Sequence, residues 1–244
     1  MKKAILFIVT LLVLALAFSY RRAQIRQAGE NFVTYAYYGD LLSLKDALEH
    51  GAPLDYVFFF YDEERDYNDV YFNALQAAAS GGNEDVINFL LEQGMDINAS
   101  TPQGWTPLII AVRDGQAEAA KLLIFRQADL NAQTDRGATA LMMAVTQKFP
   151  SEKVRRDLLA YMLKRGADPN QTNAFGYSAF YYAAALQNEA AAQLLYEYGA
   201  NPGKKEKQEI QKLLKGKKNP GAKKILQILK RKPKPAPKPE QESA

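Results

Sequence analysis

The sequence predicts an all-α solenoid of about five helix-turn-helix units, set between an apolar leader and a basic tail. Three observations predict it. An internal repeat recurs at 33 residues; within the repeats, small and apolar residues stand at helical spacing and, in all but one of the middle units, close on a glycine; and charge divides the 244 residues into three segments of different character. Residues 1–26 carry +5, from five Lys or Arg and no acid. Residues 27–203 carry −11, from 12 bases and 23 acids, and residues 204–244 carry +10, from 14 bases and 4 acids.

The first segment, residues 1–26, is a signal peptide or a signal anchor with basic flanks. Lys2 and Lys3 precede an apolar run from Ala4 to Phe18 broken only by Thr10, the order of charge and apolar stretch that marks export. The run is about 15 residues, shorter than the roughly 20 of a comfortable membrane span, and Ala15-Leu16-Ala17 offers the small residues of a cleavage site. Arg21, Arg22 and Arg26 follow at once, and positive charge beyond an apolar segment resists translocation. Three outcomes stay open: a cleaved signal and a soluble periplasmic protein, an uncleaved anchor with the body in the periplasm, or an anchored body facing the cytoplasm.

The second segment, residues 27–203, repeats itself. Leu75, Leu108 and Leu141 are 33 residues apart, and Phe180 follows after 39, the excess falling around Lys148, Phe149, Pro150 and Ser151. Gly94, Gln127, Gly166 and Gly199 keep the same spacings, so two rulers share one insertion. Small residues, as in ALQAAASGG, let one helix press on the next. Apolar pairs such as Leu90-Leu91, Leu122-Leu123 and Leu194-Leu195 line a second helix, which Gly94, Gly166 and Gly199 end in their units. No unit can bury its apolar face alone, so the units must stack into one elongated core with a concave side.

The stretches GWTPLIIAVRDGQAEAAKLLIFRQADLNAQ, GATALMMAV and LKRGADPNQ resemble successive ankyrin repeats. Five units follow, near 31–56, 71–99, 100–132, 133–171 and 172–203, with an insertion at 57–70. Where the family carries Thr-Pro-Leu-His, this chain has Thr106-Pro107-Leu108 followed by Ile109, and the histidine position holds Gln76, Met142 and Tyr181. Thr106, Thr139 and Ser178 keep the hydroxyl, so the expectation is a stack with looser turns and compensating packing.

The resemblance implies a partner that meets the loops between units and the exposed side of the first helices. The residue after the loop glycine position is Phe72, Trp105, Ala138 and Tyr177 in successive units, and Gln103, Arg136, Asn173 and Phe175 lie nearer the loop tips. Aromatic groups in such a row either anchor an interface or pack on one another. The insertion, VFFFYDEERDYNDVY, combines Phe58, Phe59 and Phe60 with Asp62, Glu63, Glu64, Asp66 and Asp69. A half-buried loop with an acidic tip for a basic partner suits both demands. A calcium loop does not, because its central glycine and closing glutamate are missing.

The third segment opens with two amphipathic stretches, EIQKLLK and KKILQILKRK, a basic helical cap over 204–232. Ile225, Leu226, Ile228 and Leu229 either cover the open end of the stack or lie on an anionic membrane surface. Residues 233–244 are rich in proline and lysine and form a disordered tail.

Composition narrows the function. The chain has no cysteine, which removes disulfides, thiolate metal sites, cysteine nucleophiles and a lipidated N-terminal cysteine. The one histidine, His50, stands at a helix C-terminus, where a cation is favoured and where no second imidazole completes a site. There is no phosphate-binding glycine loop and no nucleophile motif; no catalytic, cofactor or metal residue is assigned. The acidic body and the export-type leader argue against nucleic acid. The expectation is a scaffold or adaptor at the bacterial cell envelope. The alternatives are an immunity-type protein that neutralises one toxic or hydrolytic partner, and a membrane-anchored adaptor facing the cytoplasm.

Overall fold

The structure, a computed structural model, describes residues 2–60, 70–217, 219–232, 234, 235, 237 and 238; the side chains of residues 2–13, 59, 60 and 70 lie outside the description. In chain order the elements are α1 (Lys2–Tyr38), α2 (Leu41–Glu49), β1 (Phe58–Phe60), β2 (Val70–Phe72), α3 (Ala74–Gly81), α4 (Glu84–Glu92), α5 (Pro107–Arg113), α6 (Ala117–Phe125), α7 (Ala140–Thr146), α8 (Glu152–Lys164), α9 (Ala179–Ala185), α10 (Glu189–Glu197), α11 (Lys204–Leu214) and α12 (Pro220–Leu229). The first helices stack in the order α1, α3, α5, α7, α9, α11, and α4, α6, α8, α10 and α12 contribute the second layer.

Local chemistry starts and stops these helices. The Asn73 side chain accepts from the Gln76 N–H while the Gln76 side chain accepts from the Asn73 N–H, a reciprocal cap that opens α3. Thr106 caps α5 ahead of Pro107, whose missing N–H costs nothing in a first turn, and Thr139 and Ser151 cap α7 and α8. After α2, His50 Nδ1–H donates to the Asp46 carbonyl at 2.8 Å, and this bond, then the Asp46 carboxylate 3.3 Å away, raises the imidazole above its ordinary value. A raised value favours the fold below the ordinary imidazole range, an effect lost as pH rises through the folded value.

The second helix of each middle unit closes on a left-handed residue: Gly94, Gly166 and Gly199 at φ of 88°, 101° and 91°, and Gln127 at 69°. A side chain in that region strains the backbone by about 1–2 kcal/mol. Gln127 is exposed, so Gln127→Gly is expected to stabilise the protein by about 1 kcal/mol net of the added chain entropy. Urea denaturation checks the sign; an unchanged or lower midpoint would mean that Gln127 is not strained.

Between units, an asparagine ladder joins each turn to the next. Asn98 Oδ1 accepts from the Asp129 N–H (2.9 Å), Asn131 from Asp168 (2.8 Å) and Asn170 from Asn201 (2.7 Å). Asp96, Asp129 and Asp168 fold these turns by accepting from the N–H two residues on. The looser turns expected from the missing histidine are therefore not found. Gln76, buried at 2%, replaces that side chain by donating to the carbonyls of Ala99, at the end of its own unit, and Trp105 in the next.

Three further differences from expectation have physical reasons. The excess around residues 148–151 is shared between a longer connection and an extra turn of α8, which has 13 residues where α6 has 9. The 57–70 insertion, expected as a loop, starts and ends as a short antiparallel ribbon, Phe58 opposite Phe72 and Phe60 opposite Val70, in a structure that is otherwise mostly helical; Asp62, Glu63, Glu64, Asp66 and Asp69 lie outside the described residues. Finally, α1 crosses residue 26 without a break, so the leader and the first helix of the first repeat are one helix.

Candidate interaction surface

The hairpin turns ahead of α5, α7 and α9 form a continuous edge because their backbones bond to one another. The Asp135 N–H donates to Gln103 O and the Ala174 N–H to Arg136 O, each at 2.9 Å. Gly104, Gly137 and Gly176 turn with φ of 79°, 73° and 80°. A Cβ on Gly104 would stand 2.9 Å from Gln133 O, and one on Gly137 2.8 Å from the Asn173 Cα, so glycine sets the closeness of the row. Thr101, Thr134 and Asn173 brace the turns from inside by accepting from the N–H of Trp105, Ala138 and Tyr177.

On this edge the sequence-predicted residues separate. Phe175 is 70% exposed at its tip and Arg136 is exposed, whereas Gln103, Trp105, Asn173 and Tyr177 are half-buried. Phe72 departs from expectation: it is 2% exposed in β2, which removes its ring from the candidate contacts. Tyr177 is spoken for in part, stacking on Tyr181 with centroids 3.8 Å apart, while Asn173 donates to the Tyr182 hydroxyl at 2.6 Å. Burial, with the Tyr177 hydroxyl adding, holds the Tyr181 phenol above its ordinary value, so the Tyr181 hydroxyl is neutral near neutral pH.

Sequence reading missed the charge pair beneath Trp105. Arg113 holds the Asp114 carboxylate with Nε and a terminal nitrogen, both at 3.0 Å, and the Ser80 hydroxyl donates to Asp114 at 2.5 Å. The side chains are 9% and 3% exposed. The same guanidinium lies 4.8 Å from the Trp105 ring and 5.7 Å from that of Phe72, within cation–π reach of both. The junction of the second and third units is therefore held by a buried cation within reach of an aromatic ring from each.

At the far end, α11 and α12 take the places of a sixth helix pair. Glu206, buried at 5%, accepts from both the N–H and the hydroxyl of Ser178, at 2.8 and 2.7 Å. This leaves α9 with no cap from its own Ser178 side chain. Lys224 pairs with Glu189 at 2.6 Å. Ile225 and Ile228 are buried, so the apolar side of α12 serves the stack and the helix turns Lys223, Lys224 and Gln227 outward.

At the near end, residues 14–27 of α1 are exposed all round, Leu16 at 69% and Phe18 at 70%. Among the described residues no helix is long and apolar enough to cross a membrane, and most of the Ala4 to Phe18 run falls on residues whose side chains lie outside the description. No group of His, Asp and Glu among the described residues is placed to hold a metal ion.

The chain is similar to ankyrin repeats over residues 36–134 and 122–206, matched by the model of a family described as ankyrin repeats in three copies. No curated protein matches the chain.

Proposed function

The chain belongs to the ankyrin-repeat family, and from that premise we propose that it is a non-catalytic protein-binding module tethered at the bacterial cell envelope by α1, its repeats outside the cytoplasm. Ankyrin repeats make it a protein–protein interaction module; address and mode of binding are the proposal. The observation that carries it is the joining of an apolar, basic-flanked run to the first repeat as one helix. Phe175, Arg136, Gln103, Asn173, Trp105 and Tyr177 supply the contacts, with the exposed aromatic Phe175 as anchor. The charge of −11 over residues 27–203 favours a basic partner and supports a second reading, in which the protein neutralises one basic toxic or hydrolytic partner.

A reporter fused after Ala244 and active only outside the cytoplasm, with the mass of the N-terminus, tests the address. An active reporter on an uncut chain is expected; an inactive one would overturn the location, and a cut near Ala17 would overturn the tether. For binding, Phe175→Ala is expected to weaken capture of a partner about tenfold or more while leaving the fold intact. The chain has a single tryptophan, Trp105, whose emission reports occupancy of the edge. A single stoichiometric partner would favour the neutralising role, and several weaker ones the scaffold.

A further inference from the structure

The direction in which α1 leaves the stack fixes which edge of the repeats faces the bilayer. At the C-terminal end of α1, the Asn83 amide beyond α3 donates to the carbonyls of Ala36 (2.9 Å) and Tyr37 (2.7 Å). Toward its N-terminal side, Gly29 lies against the ring of Tyr56, in the approach to β1. The ends of α1 and α3 therefore match, and the two helices run parallel with the ribbon and hairpins at their N-terminal ends. Repetition carries that polarity through α5, α7, α9 and α11. The free half of α1 projects from the same edge that bears Gln103, Arg136, Asn173 and Phe175.

The projection is stiff. Between Lys2 and Ala28 there is neither proline nor glycine, the usual sources of a helix kink, and Gly29 is pinned under Tyr56. The 37 residues of α1 span about 55 Å, and the 11 steps from Phe18 to Gly29 cover about 16 Å. Exposed bases stand at both ends of this edge: Arg21, Arg22 and Arg26 on α1, and Lys204 and Lys205 at the start of α11. The tips between carry Asp135 beside Arg136 and the aromatic Phe175.

Resting on the tether reading above, we infer that α1 is a rigid stalk that holds the solenoid side-on to the bilayer, with its hairpin edge turned toward the lipid at a stand-off of about 16 Å. That gap admits one helix, about 10–12 Å across, or an extended chain. The ligand of the edge is then a juxtamembrane polypeptide segment of a second membrane protein. Lipid headgroups are disfavoured as the ligand of the tips because Asp135 offsets Arg136 there.

The chain has no cysteine, so single-cysteine variants of the full chain carry one fluorophore each. Arg136→Cys and Phe175→Cys label the hairpin edge, and Glu84→Cys and Leu186→Cys the opposite edge, all at exposed positions. The proteins are reconstituted into vesicles of phosphatidylethanolamine and phosphatidylglycerol, floated, and quenched by lipids carrying a nitroxide on the headgroup or on the acyl chain. Headgroup quenching several-fold stronger at the hairpin edge than at the opposite edge is expected. Equal or reversed quenching in floated protein would overturn the orientation. Acyl-chain quenching at Phe175 would show the tips in lipid and overturn the polypeptide ligand. Protein that does not float would overturn the tether itself, a failure visible before any quenching is read.

Discussion

Arg113→Ala is expected to lower the free energy of unfolding by about 3 kcal/mol, because it takes a bidentate cation away from a buried carboxylate. Asp114 is 3% exposed and is held by two nitrogens of Arg113 at 3.0 Å. The Ser80 hydroxyl, which also donates to Asp114, carries no charge to replace the one removed. The guanidinium is also within cation–π reach of the rings of Trp105 and Phe72, so truncation removes packing from the second and third units together. In a stack where each unit touches only its neighbours, such a loss divides the solenoid at that junction rather than weakening it evenly. Urea unfolding followed by Trp105 emission should therefore shift to lower urea than unfolding followed by far-ultraviolet dichroism. Arg113→Lys keeps the charge but not the planar fork and should fall between the two proteins. A loss in Arg113→Ala below about 1 kcal/mol would mean that the pair contributes no more than an exposed one.

The repeats were legible because the same physical problem is solved five times and leaves the same residues at the same spacing. The 33-residue ruler that put Gln127 among glycines marked a left-handed turn, and its φ is 69°. The Asp and Asn after each second helix were visible as turn residues, but turn chemistry does not reveal that Asn98, Asn131 and Asn170 reach across to the next unit. Arg113 did leave a signal: its column reads Ser80, Arg113, Thr146, Ala185, one long cation among small residues. Glu206 left none, since an acid in a lysine-rich stretch looks solvated until α11 folds back to Ser178, 28 residues earlier. The pairing of Phe58 with Phe72 was read as loop because strands of three residues carry no alternation. The contact residues were the least legible part, since the register identifies the turns without saying which rings, like that of Phe72, the neighbours enclose.

Gly81→Ala inverts the usual rule for a helix, in which alanine gains about 1 kcal/mol over glycine. A Cβ at residue 81 would lie 2.1 Å from the Tyr37 carbonyl oxygen and 2.5 Å from Asn83 Nδ2. The first of these is backbone and cannot swing aside, so α1 and α3 must separate and the Asn83 bonds to Ala36 and Tyr37 must lengthen or break. Overpacking of this kind costs about 1–3 kcal/mol beyond the propensity gain, and a net loss of about 2 kcal/mol is expected. Gly94→Ala is the control that separates the two mechanisms. It meets nothing within 4 Å but sits at φ 88°, so it pays backbone strain alone, about 1 kcal/mol, and leaves the contact between α1 and α3 whole. Hydrogen exchange should therefore rise around Asp40 and Asn83 in Gly81→Ala and not in Gly94→Ala. In the tethered protein the same substitution frees the stalk from the stack, so the difference in headgroup quenching between the two edges should shrink while the protein still floats. A Gly81→Ala protein more stable than the parent, with both edges quenched as before, would show that the helices do not approach so closely and that the stalk does not depend on this contact.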